Sequence, residues 1–313
     1  MNKEIDLKIA TLNLNGETFW SINRRPRLPQ DLFNIEKIKK ALVRKIKKGL
    51  KNILNNDTYD IIAIQELVYI SRYYKAIKKV IEGKGYQLII PEKLKNTHFT
   101  VGFIVKKGKG IDIDNIPIEN ISIKNIPIEN NVLLNEIPMN KIICCKYTKN
   151  GTSYEILNVH LTKHTEDIKN ALLDFLSSNN NDNNNVIRIL LGDFNAYNNE
   201  QKDEKVQPCN NAEFINDLME KDFRKNYEST NKNYTFWASE WKKLDHIFIS
   251  GKNIDVKEID VEETVNNNVN FYPIENETEN AQNNNEGFTD HSMLIADIKV
   301  NKPMQNKNDH LQL

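Results

Sequence analysis

Three cysteines in 313 residues, Cys144, Cys145 and Cys209, show no metal-ligand spacing, and this excludes a cysteine-based zinc site. Adjacent Cys144 and Cys145 in a strand-like run point to opposite faces, so the three read as structural thiols of a reducing compartment. No apolar stretch approaches the length that spans a bilayer. Met1 to Lys8 alternates charges with single apolar residues instead of opening a signal peptide, and the expected location is the cytoplasm. There is no Gly-rich phosphate loop of the nucleotide-triphosphatase kind, no His-Glu-x-x-His and no Gly-x-Ser-x-Gly. Net charge is absent too, since 43 Lys and Arg balance 43 Asp and Glu, which argues against a general nucleic-acid coat protein. What remains is an ordinary globular composition, 39% hydrophobic and 27% charged, in a chain long enough to bury a substantial core.

The charge is unevenly spread. Between Ser21 and Lys51 stand Arg24, Arg25, Arg27 and eight further Lys and Arg against only Asp31 and Glu36, whereas Gly251 to Asp290 is dominated by Asp and Glu. A basic stretch of this kind suits either a polyanion or the wet side of an amphipathic helix. Along it and just past it Ile35, Ile38, Leu42, Ile46, Leu50 and Ile53 recur at helical spacing, predicting a helix over residues 32–54. Strands are expected at Ile5 to Leu14, Ile61 to Ile64, Tyr86 to Ile90, Thr100 to Val105 and Val186 to Leu191. A hairpin of Lys141 to Tyr147 with Tyr154 to Leu161 turns at Lys149-Asn150-Gly151, and helices cover Tyr73 to Glu82 and Glu166 to Leu176. Asn-Ile-Pro-Ile-Glu-Asn occurs at 115–120 and again at 125–130, a pattern for edge strands or extended loops because Pro cannot donate to a central ladder. No linker divides the chain. One domain over residues 1–300 with a flexible tail at 301–313 is expected.

Polar acceptors recur at the ends of the apolar runs. Asn13 follows Ile9 to Leu12, Glu66 follows Ile61 to Gln65, and Asp193 and Asn195 follow Val186 to Gly192. Asp245 precedes Ile247 to Ile249, and Asp290-His291 precedes Met293 to Ile295. His160 shares a strand face with Asn158. Such groups suit a hard divalent cation, which takes oxygen ligands and needs only one or two carboxylates plus a substrate phosphate. Glu66 is the first carboxylate for Mg2+ (Mn2+ is an alternative), helped by Asn13 and Asp290. Asp193 is placed to take a proton from water with Asn195 orienting it. His291 is placed to donate to a phosphoryl oxygen with Asp245 on its other nitrogen, and His160 is assigned a catalytic role. His164 and His246 read as structural. Arg24, Arg25 and Trp237 are candidates for substrate contact, the last through stacking on a base.

Taken in order, Thr11-Leu12-Asn13-Leu14-Asn15-Gly16, Ile64-Gln65-Glu66, Asn158-Val159-His160-Leu161, Gly192-Asp193-Phe194-Asn195, Leu244-Asp245-His246-Ile247 and Thr289-Asp290-His291-Ser292 resemble the motifs of the endonuclease/exonuclease/phosphatase superfamily, the deoxyribonuclease I-like metal-dependent phosphoesterases. The resemblance runs from residue 9 to about 298. It implies an α+β fold, a four-layer α/β/β/α sandwich of two mixed sheets packed face to face, with the active cleft where strand ends of both sheets meet. It also assigns Asn13 and Glu66 to the metal side, Asp193 and Asn195 to water and phosphate, Asp245 with His291 as a pair, and Asp290 as the acidic neighbour of that His. His160 stands where abasic-site endonucleases of this superfamily carry Tyr, so the chain is more similar to the deoxyribonuclease I, sphingomyelinase, deadenylase and tyrosyl-DNA phosphodiesterase groups.

The leading functional expectation is a Mg2+-dependent nuclease, with DNA favoured over RNA and no stable membrane association. The alternatives are a phospholipid or phosphoinositide phosphoesterase, for which the Ile-Pro segment and Phe271-Tyr272-Pro273-Ile274 are the thin support, and a silent binding protein that keeps the fold. The residues of 23–51 and the Ile-Pro segment have no counterpart among the motifs.

Overall fold

Alternation along each strand decides which side chains meet. In the first strand, β1 (Leu7–Asn13), Leu7 and Ile9 point to one side and Ala10 and Leu12 to the other. The same split holds in β2 (Ile61–Val68), β4 (Phe99–Lys106) and β14 (Met293–Val300). The structure, a computed structural model, describes residues 7–16, 29–55, 58–91, 94, 97–108, 112–116, 139–149, 152–162, 164–177, 186–196, 211–219, 224–226, 236–237, 241–242, 244–251, 254–262, 289, 291 and 293–300. The expected tail at 301–313 and most of the Ile-Pro segment lie outside these residues.

Two six-stranded mixed sheets result. One has the order β13-β14-β1-β2-β4-β3, with β3 at Tyr86–Ile89 and β13 at Ile254–Glu262. The other has the order β5-β6-β7-β8-β12-β9, comprising Asp112–Ile116, Ile142–Lys149, Thr152–His160, Val186–Asp193, Asp245–Ser250 and Arg224–Asn226. The pairs β1 with β2 and β7 with β8 are parallel, and the other pairs are antiparallel. A short ribbon of β10 (Phe236–Trp237) and β11 (Trp241–Lys242) stands apart from both sheets in its pairing.

Three apolar layers hold the sandwich. The middle one joins Leu7, Ile9, Ile61, Ala63, Val101 and Phe103 of one sheet to Ile156, Ile189, Leu191, Ile247 and Ile249 of the other. The second lies between the first sheet and two helices, α1 (Pro29–Asn55) and α2 (Ser71–Glu82), through Ile46, Leu50, Ile53, Ile77 and Ile81. The third packs α3 (Glu166–Ser177) and α4 (Asn211–Met219) on the second sheet. This is the expected α+β, four-layer α/β/β/α sandwich. Cys144 falls in the helix-side layer and Cys145 in the middle one, on opposite faces of β6.

Two differences from the sequence reading have physical causes. Ile61 to Ile64 grows to an eight-residue strand because polar Gln65 and Glu66 are buried inside it and paired with other side chains. The acid-rich stretch after Gly251 contains β13, whose apolar Ile254, Val256, Ile259 and Val261 lose their period at a bulge between Val256 and Glu258. Strand β9 is too short, at three residues, to show a period, and helix α4 shows one only in Phe214, Ile215 and Leu218.

The basic helix is an outer-layer helix. It lies in the chain between β1 and β2, which are parallel neighbours. At 27 residues it is about 40 Å long. Arg44, Lys48 and Lys51 are exposed on its second half, while Ile46, Leu50 and Ile53 pack on the sheet. That half of the basic run therefore has the form of an amphipathic helix with a wet side, one of the two readings open to the basic stretch.

At Gly192 the parallel strands β7 and β8 approach closely. Its φ is 140°, and a Cβ there would sit 2.0 Å from the Val159 carbonyl oxygen. Gly192→Ala is therefore expected to destabilise the fold by about 3 kcal/mol, measured as a shift of the urea midpoint at unchanged m-value. An unchanged midpoint would refute the close approach.

Candidate active site

The inward stripes of four central strands change from apolar to polar at the same end of the sandwich. Leu7 and Ile9 give way to Thr11 and Asn13; Ile61 and Ala63 to Gln65; Tyr154 and Ile156 to Asn158 and His160; and Ile187, Ile189 and Leu191 to Asp193. Strand β12 runs the other way and begins with Asp245, which pairs with Asp193 in register. His160 pairs with Asp193 across the parallel ladder. Alternation within strands and register between them thus gather these groups without any special loop.

The gathered side chains touch. Asn13 Nδ2 donates to Glu66 Oε1 at 3.0 Å and to Asp193 Oδ2 at 2.8 Å, while Asn13 Oδ1 accepts from the Asn15 backbone N–H at 2.8 Å. Asn13 so placed orients two carboxylates. His160 Nε2 lies 3.5 Å from Glu66 Oε1 and 3.7 Å from Asp193 Oδ2. His291 Nε2 is 3.8 Å from Asp193 Oδ2, and its Nδ1 faces Asp245 Oδ2 at 2.7 Å. Asn195 donates its backbone N–H to Asp193 Oδ1 at 2.8 Å and its Nδ2 to the Leu161 carbonyl at 2.8 Å. All but Asn195 are buried.

The backbone is strained where it must be. Asn15, Glu66 and Asn195 have φ of 54°, 51° and 48°, a region that residues bearing a Cβ visit at a cost. Around the Asp-x-Asn turn, Phe194 N–H donates to Leu244 O, His164 Nε2 lies 2.6 Å from Phe194 O, and His246 Nε2 lies 3.1 Å from Ala196 O. These contacts give His164 and His246 the structural place expected of them.

Electrostatics separates the roles. Burial pushes Asp193 up to about 7, helped by the Asp245 charge and opposed by His291 and by the hydrogen bonds from Asn13 and Asn195. Burial, with the charges of Lys141 and His291, holds His160 well below the usual imidazole range. His160 is therefore a neutral imidazole, able to donate a hydrogen bond from Nε2 but not to serve as a standing cation. Two triads bring ligand atoms within 4.8 Å of one another, Glu66 with His160 and Asp193, and Asp193 with Asp245 and His291. Their acidic oxygens, two of which accept from Asn13 Nδ2, fit a hard divalent cation, whose charge would offset the buried carboxylates.

Of the other expected residues, Asp290, Arg24 and Arg25 lie outside the described residues. Trp237 lies opposite Trp241 in the β10–β11 ribbon just before Asp245. Motif reading missed Thr289, whose Oγ1 donates to Asn13 O at 2.7 Å and ties the last motif to the first. It also missed Lys141, whose Nζ stands 5.5 Å from the Phe99 ring, itself 6.5 Å from the His160 ring. Thr289 reads only as the first residue of the last motif, and Lys141 carries no signal beyond the start of a strand.

No protein-family model matches this chain, and no curated protein does. Solved structures do. D. rerio TDP2 complexed with single strand DNA product is similar at TM-score 0.56 and 14% identity, over 94% of this chain and 99% of that one. The endonuclease/exonuclease/phosphatase from Bacteroides vulgatus is similar at TM-score 0.56 and 15% identity, over 95% and 100%. A mannosyl-6-phosphatase from Bacteroides thetaiotaomicron is similar at TM-score 0.52 and 13% identity, over 94% and 99%. At such identities the likeness is one of fold, and the fold is that of endonuclease/exonuclease/phosphatase proteins, as the motifs resembled.

Proposed function

We propose that this chain is a divalent-metal-dependent phosphodiesterase that hydrolyses nucleic acid, DNA in preference to RNA. The observation that carries the reading is a buried Asp193 held between Asn13, Asn195 and an Asp245–His291 couple. A carboxylate raised to about 7 is a competent base at neutral pH, and we assign Asp193 the proton of the attacking water. His291, doubly protonated with Nδ1 donating to Asp245, presents its Nε2 proton to a phosphoryl oxygen. His160 donates a neutral N–H beside it. Glu66, with Asp290 as the motif's further acid, would hold Mg2+ or Mn2+; when bound, such a cation withdraws charge from the phosphoryl oxygens. The constellation draws on residues from Asn13 to His291, so we take residues 1–300 to act as one catalytic unit.

The D. rerio TDP2 structure with single strand DNA product supports a nucleic-acid substrate on this fold. A second reading, a phosphomonoesterase, is favoured by the mannosyl-6-phosphatase of the same fold. Among the described residues no helix is long and apolar enough to cross a membrane. The test is incubation of purified protein with single-stranded DNA, single-stranded RNA, plasmid and a hexose 6-phosphate, with Mg2+ or with EDTA. Cleavage of single-stranded DNA that needs Mg2+ and disappears in Asp193→Ala is expected. Release of inorganic phosphate from the sugar with every polynucleotide intact would replace the nuclease reading by the second one.

A further inference from the structure

Strict alternation along β2 gives Glu66 the wrong address. Ile61 and Ala63 face the other sheet, and Ile62 and Ile64 face α1 and α2. Continued unbroken, that pattern sends Gln65 inward and Glu66 outward into the apolar helix layer. The ladder slips instead. Ile64 pairs with Gly102 and Leu67 with Thr100, so Gln65 and Glu66 together stand opposite Val101 as a β-bulge. Leu67 then takes the helix-facing place, and Glu66, at φ 51°, reaches Asn13 in the cleft.

A left-handed backbone under a Glu persists only where its surroundings over-determine it. Here the surroundings belong to the opposite sheet. Asn158 Nδ2 donates to Ile64 O at 3.1 Å and to Gly102 O at 2.9 Å, the two residues paired at the edge of the slip. Asn158 Oδ1 accepts from Gln65 Nε2 at 2.7 Å, and Gln65 Nε2 also donates to Thr11 Oγ1 at 3.0 Å. Thr11, Gln65 and Asn158 are wholly buried, so no water competes for these bonds. Asn158 grips both strands beside the bulge from across the sandwich.

We propose that Asn158 is a positioning residue for Glu66: its carboxamide, borne by the second sheet, locks the bulge of the first sheet in the form that aims Glu66 into the cleft. The inference rests on the reading of Glu66 as the carboxylate that holds the divalent cation. No hydrophobic side chain of equal size does this work, because two carbonyl oxygens and one amide nitrogen must be met by a group that both donates twice and accepts once.

Asn158→Ala and Asn158→Asp test it. The aspartate keeps the volume and the acceptor for Gln65 but sets an oxygen against two carbonyls, so it remains informative if the alanine variant fails to fold. In crystal structures of the variants Glu66 is expected to leave the left-handed region and lose Asn13. Mn2+ binding, read by electron paramagnetic resonance without substrate, is expected to weaken about tenfold or more. The same substitution in a Glu66→Gln background is expected to weaken it by less than about twofold, because the two residues act as one unit. A folded variant in which Glu66 keeps φ near 51° and its Asn13 contact overturns the inference, as does an equal loss of Mn2+ affinity in both backgrounds. A wild-type protein that binds no Mn2+ overturns the phosphodiesterase reading, and the backbone at Glu66 then still decides this inference.

Discussion

Asp193→Asn is expected to lower kcat by about 10³-fold and, in the same protein, to raise the melting temperature of the metal-free form at pH 8. The loss follows from removing the base. The gain follows from burial, which with the nearby Asp245 charge raises the Asp193 carboxyl to about 7 in the folded chain, against 3.8 for the unperturbed group. The folded state therefore holds this proton more tightly than the unfolded state does. Its contribution is fully favourable below about pH 4 and is lost as pH rises through about 7, leaving a penalty on the order of a few kcal/mol above that. Asparagine carries no charge to bury, and the hydrogen bond it forfeits with Asn13 or Asn195, about 1 kcal/mol, is the smaller quantity. Melting curves in EDTA at pH 5 and pH 8 check the sign: the variant should gain on the wild type as pH rises. A variant less stable than the wild type by the same margin at both pH values would show that Asp193 is not held in a penalised state.

The second large effect concerns the Asp245–His291 couple. His291→Ala and Asp245→Asn are each expected to lower kcat by about 10²- to 10³-fold, and the double substitution to lower it little further. The reason is the 2.7 Å contact from His291 Nδ1 to Asp245 Oδ2. Without Asp245 the doubly protonated ring loses the carboxylate that accepts from Nδ1 and orients it, so the Nε2 proton no longer points toward the substrate side. Single-turnover rates on an oligonucleotide for the four members of the cycle measure the coupling. Strictly multiplicative losses would mean that the two residues act separately, and the paired assignment would fall.

Most of the contributors to the site were legible in the sequence because a strand of period two writes its faces into the chain. Asn158 and His160 share a face by counting, and Asp193 follows an apolar run that ends on the inward side. The layers were legible for the same reason, as was α1 from its apolar stripe. The bulge at Gln65 and Glu66 was not, because one extra residue inverts every later face and leaves no mark on composition. The depressed basicity of His160 was equally hidden, since it comes from burial and from Lys141 and His291, which are distant in sequence. Nor does a sequence say which way an amide points. Asn13 read as a metal-side acceptor, yet its nitrogen faces Glu66 and Asp193 and its oxygen faces Asn15.

The bond from Thr289 Oγ1 to Asn13 O spans 276 positions, and β14 lies between β13 and β1 inside its sheet. Contacts of such high order are made late and slowly, on the millisecond-to-second scale typical of non-local β topologies. His291 enters with that closing strand, so catalytic competence is a readout of completed folding. A refolding experiment followed by substrate turnover should lag one followed by the α1–α2 helical signal, and the interval between them is the time the chain takes to seat its last strand.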